Sequence, residues 1–186
     1  MKRMMILFLF PVFLWLGCEK EETDPCAEIV CLNDGFCANG LCNCADGYGG
    51  SDCSQQVEPE SVDLLTIRLI TWPLLAPSGG GWDSNSGPDI FIRILDDNGN
   101  EIYESGYYDN VQNGSTPIWD VDLRVEDASS NPLTLQVYDY DGILGNHFMI
   151  GATFRLYRSD QNIDFPNTLT LSTPNLSIEL VLGYNH

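Results

Sequence analysis

The chain has 186 residues and a formal net charge of -19, from 8 Lys plus Arg against 27 Asp plus Glu. That charge excludes the phosphate backbone of nucleic acid, and it excludes an anionic membrane surface unless a cation intervenes. With 44% hydrophobic and 19% charged residues the chain folds rather than forming a disordered acidic tail, and its length allows a medium domain with a small companion.

Lys2 and Arg3 precede an unbroken apolar run from Met4 to Leu16. A cationic start followed by a short apolar stretch reads as a signal peptide, and the run is shorter than the roughly 20 residues of a transmembrane helix. Leu14-Trp15-Leu16-Gly17-Cys18 resembles the lipobox of bacterial lipoproteins, with Trp15 where that pattern prefers Leu. The resemblance implies cleavage after residue 17 and acylation (palmitate) of Cys18. The membrane is then a partner through an N-terminal lipid anchor. Glu19-Lys20-Glu21-Glu22 looks like the surface-export tag of some Gram-negative lipoproteins, which implies a surface-exposed place on the outer membrane. Residues 18–25 read as the lipidated tether. The alternative is an ordinary secretory signal cleaved elsewhere, with Cys18 a spare thiol.

Cys26, Cys31, Cys37, Cys42, Cys44 and Cys53 fall in a segment too short to bury a useful core. Disulfides meet that deficit outside the cytosol, and residues alone leave all of the roughly 15 pairings of six cysteines open. Zinc is the competing reading, disfavoured because Cys-x2-Cys knuckles are lacking and the export signal favours oxidation. The spacing, ending in Cys44-Ala45-Asp46-Gly47-Tyr48-Gly49-Gly50-Ser51-Asp52-Cys53, is similar to an epidermal-growth-factor-like (EGF-like) module over residues 26–54. The resemblance implies bridges Cys26–Cys37, Cys31–Cys42 and Cys44–Cys53. Glu22-Thr23-Asp24-Pro25 departs from the calcium lead-in of that family, so no calcium is expected in this module.

Residues 55–61 read as a polar linker carrying Pro59. Beyond it, strands are expected at about 62–72, 89–96, 100–108, 118–125, 132–139, 148–155, 167–172 and 175–183. Turn signals such as Asp97-Asn98-Gly99 and Ser130-Asn131-Pro132 separate them. Short β-rich runs at this spacing give an all-β chain whose larger part, 62–184, is a two-sheet antiparallel sandwich. Trp72, Phe91, Trp119, Val137 and Leu180 are the core candidates.

Acids concentrate in two loops, one holding Asp83 and Asp89 and one holding Asp139 and Asp141. In each, carboxylates flank an apolar strand and a Gly-rich turn, a donor set that suits the hard oxygen-seeking Ca²⁺. An Asp-x5-Asp loop, then Pro117-Ile118-Trp119-Asp120, then Asp-x-Asp after an apolar strand is similar to the C2 domain. That resemblance implies an eight-stranded sandwich binding calcium through Asp83, Asp89, Asp139 and Asp141. His147 stands where the family often has another Asp, which leaves one weakly held ion, in the range of roughly 10⁻⁴ to 10⁻³ M for extracellular modules. The alternative is a C2-like fold that has lost metal and keeps its acids as turn residues.

The expected function is a surface-anchored calcium-binding lipoprotein used for adhesion or ligand binding, the ligand being a glycan or a cell-surface protein. Trp82, Ile143 and Leu144 beside the acids offer apolar contact. The competing expectation is a structural component of a surface assembly. No enzyme is expected: only His147 and His186 are available as bases, and neither assembles into a nucleophilic set with Ser or a free Cys.

Overall fold

A computed structural model describes residues 24–142, 145–158 and 164–186. The expected signal peptide, Cys18, most of the expected tether, Ile143 and Leu144 lie outside the described residues. The chain is all-β, with no α-helix among the described residues: a small disulfide-rich module precedes an eight-stranded antiparallel sandwich. Among those residues no helix is long and apolar enough to cross a membrane.

The small module contains hairpin β1 (Phe36–Ala38) and β2 (Leu41–Asn43) and the short pair β3 (Tyr48–Gly49) and β4 (Gln55–Gln56). Asn39 and Gly40 both take positive φ, 53° and 82°, the conformation a two-residue hairpin turn with the strands' own twist requires. Disulfides Cys26–Cys37, Cys31–Cys42 and Cys44–Cys53 replace the core that these residues lack.

The sandwich comprises β5 (Ser61–Thr71), β6 (Ile90–Leu95), β7 (Glu101–Glu104), β8 (Ile118–Glu126), β9 (Leu133–Asp139), β10 (His147–Phe154), β11 (Thr168–Thr173) and β12 (Leu176–Asn185). One sheet has the order β10-β9-β6-β7 and the other β11-β12-β5-β8. Period-two burial drives the arrangement: Leu133, Leu135 and Val137 of β9 and Leu176, Ile178, Leu180 and Leu182 of β12 all face the core between the sheets. Trp72, Trp119, Val137 and Leu180 belong to that core. Phe91 is buried too, but outside it, on the opposite side of β6 from Ile90 and Ile92; there it stacks on Tyr138 under the Arg93 guanidinium, 5.3 Å from its ring centroid.

The expected strand 100–108 is shorter, ending at Glu104. Ser105 ends it by turning its hydroxyl onto the Ile92 amide (2.9 Å), and pairing with β6 resumes only as an isolated bridge between Ile90 and Tyr108.

Strand direction sorts the connections. Residues 72–89, 105–117, 140–142, 145–146 and the turn 174–175 lie at one end of the sandwich. The small module, residues 96–100, 127–132, 155–158 and 164–167, and the C-terminus occupy the other. Residues 55–61 run between module and sandwich and are tied on both sides: the Val57 amide donates to the Gly47 carbonyl (2.8 Å) and that of Glu60 to Asn185 (2.7 Å).

Candidate metal centre

Asp139 is the last residue of β9, and the alternation that sends Leu135 and Val137 inward sends its carboxylate inward as well. The side chain is fully buried. Oδ1 accepts the Asp89 amide at 2.8 Å, whereas Oδ2 is buried with no partner. An orphan carboxylate oxygen in a folded interior is costly unless something cationic completes it. Desolvation by burial pushes the Asp139 carboxyl up to about 6; the Asp89 amide works against this, and the charges of Asp83, Asp141 and Asp89 add to it.

Asp89 joins the three loops. Its carbonyl accepts from Tyr140 N–H (2.8 Å) in the β9–β10 loop, and its Oδ1 accepts from Asn110 N–H (2.7 Å) in the β7–β8 loop. Asp89 therefore contributes both a scaffold bond and negative charge. Asp83 lies farther along the same loop; its Oδ2 accepts from Ser86 Oγ (3.1 Å), and it still acts electrostatically on Asp139.

Asp141 and His147 complete the cluster. The antiparallel register sets His147 opposite Asp139, and His147 Nδ1 lies 2.5 Å from Asp141 Oδ2. One ligand atom each from Asp139, Asp141 and His147 lie within 4.8 Å of one another. Sequence reasoning set His147 aside as a departure from an aspartate position and so missed its place here. The signal was available: the residue that opens the return strand of a β-hairpin faces the residue that ends the outgoing one.

The donor chemistry fits a hard cation. Asp139 and Asp141 bring carboxylate oxygens together, one of them buried and unused, and Asp83 and Asp89 add negative charge from the same end of the fold. Of the four aspartates expected to hold an ion, the structure brings Asp139 and Asp141 together with His147, whereas Asp83 and Asp89 stand outside that group and reach Asp139 only through their charge and, for Asp89, its amide. The imidazole of His147 belongs to the chemistry of borderline metals and, when protonated, serves as an internal counter-charge to Asp141.

No family model matches the chain. No curated protein matches it either. Among solved structures, it is similar to human GIVD cytosolic phospholipase A2 in complex with methyl gamma-linolenyl fluorophosphonate inhibitor and terbium chloride, at 18% identity and a TM-score of 0.45, covering 67% of this chain and 18% of that one. It is also similar to a C2 domain, the one designated A, of plant extended synaptotagmin 1, at 16% identity and a TM-score of 0.42, covering 69% of this chain and 97% of that one. The chain thus spans less than a fifth of the phospholipase. At these scores neither likeness bears on activity, and the sandwich is defined by the chain's own strands.

Proposed function

We propose that this chain is a non-catalytic, C2-like binding module whose loops are ordered by one weakly held calcium ion, displayed on a bacterial outer membrane by a lipid on Cys18. The observation that carries the metal reading is the buried Asp139 with its unpartnered Oδ2 among three other carboxylates. Calcium, when bound, supplies the positive charge that this oxygen lacks. Asp89 then holds the three loops in register through its amide, its carbonyl and its own carboxylate.

Strand direction supports the display reading. The N-terminal module and the acidic loops lie at opposite ends of the sandwich, so an anchor preceding residue 24 leaves the acidic end distal to the membrane. The ligand is then one met in the medium or on another cell, rather than the anchoring bilayer. Loss of acyl label in Cys18→Ala, together with antibody access to intact cells, tests the anchoring. Calorimetric calcium binding that disappears in Asp139→Asn tests the metal.

One observation favours the second reading, a structural component with no metal. His147 against Asp141 gives the cluster a cation of its own on protonation, so the acids have a way to be tolerated without an ion.

A further inference from the structure

Beside the acidic cluster, the β5–β6 and β7–β8 loops flank an open cleft of about 500 Å³, within the range of roughly 300–1,000 Å³ usual for small-ligand sites. Trp72, Trp82, Asp83, Ser84 and Asn85 line it from one loop and Asn113 from the other. The two loops close tightly because residue 87 is glycine: a Cβ there would stand 2.3 Å from the Val111 carbonyl oxygen.

One aromatic wall is fixed, and the polar side chains beside it are free to engage a ligand. Trp82 donates its indole N–H to the Pro73 carbonyl at 2.7 Å, which fixes the ring while leaving it partly exposed. Its polar edge is occupied, so what remains for a ligand is aromatic surface. The indole N–H of the nearly buried Trp72 makes no hydrogen bond to the described residues, and neither do the side chains of Ser84, Asn85 and Asn113. These are unfilled donors and acceptors around a fixed aromatic ring.

The ligand class follows from what these walls reject. No Lys or Arg lines the cleft, Asp83 does, and the chain carries a net charge of -19, so phosphates, sulfates and uronates are repelled. A hydrocarbon would strip water from two amides and a hydroxyl without replacing its hydrogen bonds. A neutral sugar ring presents a face of polarised C–H groups to the electron-rich indole face. Its hydroxyls both donate and accept, as side-chain amides and serine require. We infer that this cleft binds a neutral saccharide unit. The inference rests on the binding-module reading and names its ligand class, but the groups it invokes, Asp83 apart, lie outside the acidic cluster.

The test uses the full chain purified in mild detergent, with tryptophan fluorescence and calorimetry against cellohexaose, xylohexaose and mannohexaose. Polygalacturonate is the anionic control, and each titration is run with calcium and with EDTA. Saturable binding of at least one neutral hexasaccharide is expected, weakened about tenfold or more by Trp82→Ala and by the double change Asn85→Ala with Asn113→Ala. Both asparagines are exposed, so the double variant decides the matter should Trp82→Ala fail to fold. No neutral binding up to about 10 mM overturns the inference, as does binding of polygalacturonate alone, or neutral binding unchanged in the double variant. Saccharide binding without any calcium response sustains this inference and removes the calcium reading. A calcium response without saccharide binding does the reverse.

Discussion

The Asp89 amide reaches one oxygen of Asp139 at 2.8 Å and leaves the other buried without a partner. The strand-end acid is therefore half satisfied by the protein. Its unsatisfied half is one of two buried side-chain atoms without a hydrogen-bond partner among the described residues, the other being the Tyr157 hydroxyl, and it is the one that carries charge when ionised.

Replacing Asp139 with Asn separates charge from shape. The amide oxygen can still accept from Asp89, while the new NH₂ replaces the orphan oxygen and faces carboxylates in place of repelling them. In EDTA at pH 7 the variant is expected to be more stable than wild type, by about 1–3 kcal/mol. Denaturant unfolding checks this, and a destabilisation of similar size would mean that the ionised carboxylate is already compensated inside the protein.

The same group sets a pH trend. Because the Asp139 carboxyl is raised to about 6, the folded chain binds more protons than the unfolded chain between about pH 4 and about pH 6. Its contribution is fully favourable below that window and falls as pH rises through 6, by at most about 3 kcal/mol. Asp63 behaves oppositely: the hydrogen bond from Arg124 lowers its pKa, so the stability it confers is lost only as pH falls below the usual carboxylate range. In EDTA the melting temperature is therefore expected to be higher at pH 5 than at pH 7. That difference shrinks in Asp139→Asn.

At the opposite end, Gly47 docks the disulfide module. Its φ is +83°, and a Cβ there would meet Phe165 Cε2 at 2.4 Å. Phe165 itself packs against Tyr48, Tyr157, Tyr184 and His186, and Tyr48 donates to Asp164 Oδ1 at 2.8 Å. Gly47→Ala is expected to destabilise the docked arrangement by about 1–3 kcal/mol through backbone strain and overpacking. Limited proteolysis between residues 54 and 60 is the readout, with faster cleavage expected. Unchanged cleavage would mean that the module is held by its backbone ties alone.

Core substitutions calibrate these effects. Leu135 is fully buried between the sheets, so Leu135→Ala is expected to cost about 2–5 kcal/mol. The exposed Ser84 changed to Ala is expected to stay within about 0.5 kcal/mol. Chemical denaturation of both variants checks the contrast.

Much of the fold is legible in the residues because period-two alternation survives intact where strands pack against a core. β9 and β12 show it, β5 shows it on either side of a bulge that shifts the buried positions from Val62 and Leu64 to Ile67 and Leu69, and all eight expected sandwich strands form, with ends shifted by a few residues. The third ends early because Ser105 takes a ladder position with its side chain, a choice alternation does not encode. Phe91 shows a second limit: hydrophobicity predicts burial but not which face of a sheet buries it. In the candidate site, Asp139 and Asp141 stand out by their spacing. The role of His147 depends on hairpin register, and the scaffold bond from Asp89 depends on which strands are neighbours. The docking of the module onto Phe165 joins positions more than a hundred residues apart and leaves no local trace.

Calcium-dependent melting of the full chain tests the central claim most directly, with magnesium and zinc as controls and Asp139→Asn alongside. Near ten times the dissociation constant, calcium is expected to add roughly 1.4 kcal/mol, a rise of about 3–6 °C that is selective over magnesium and lost in the variant. No shift at about 10 mM calcium, or an equal shift in Asp139→Asn, would contradict the calcium site. A zinc-selective shift would contradict it as well, transferring the site to the imidazole of His147.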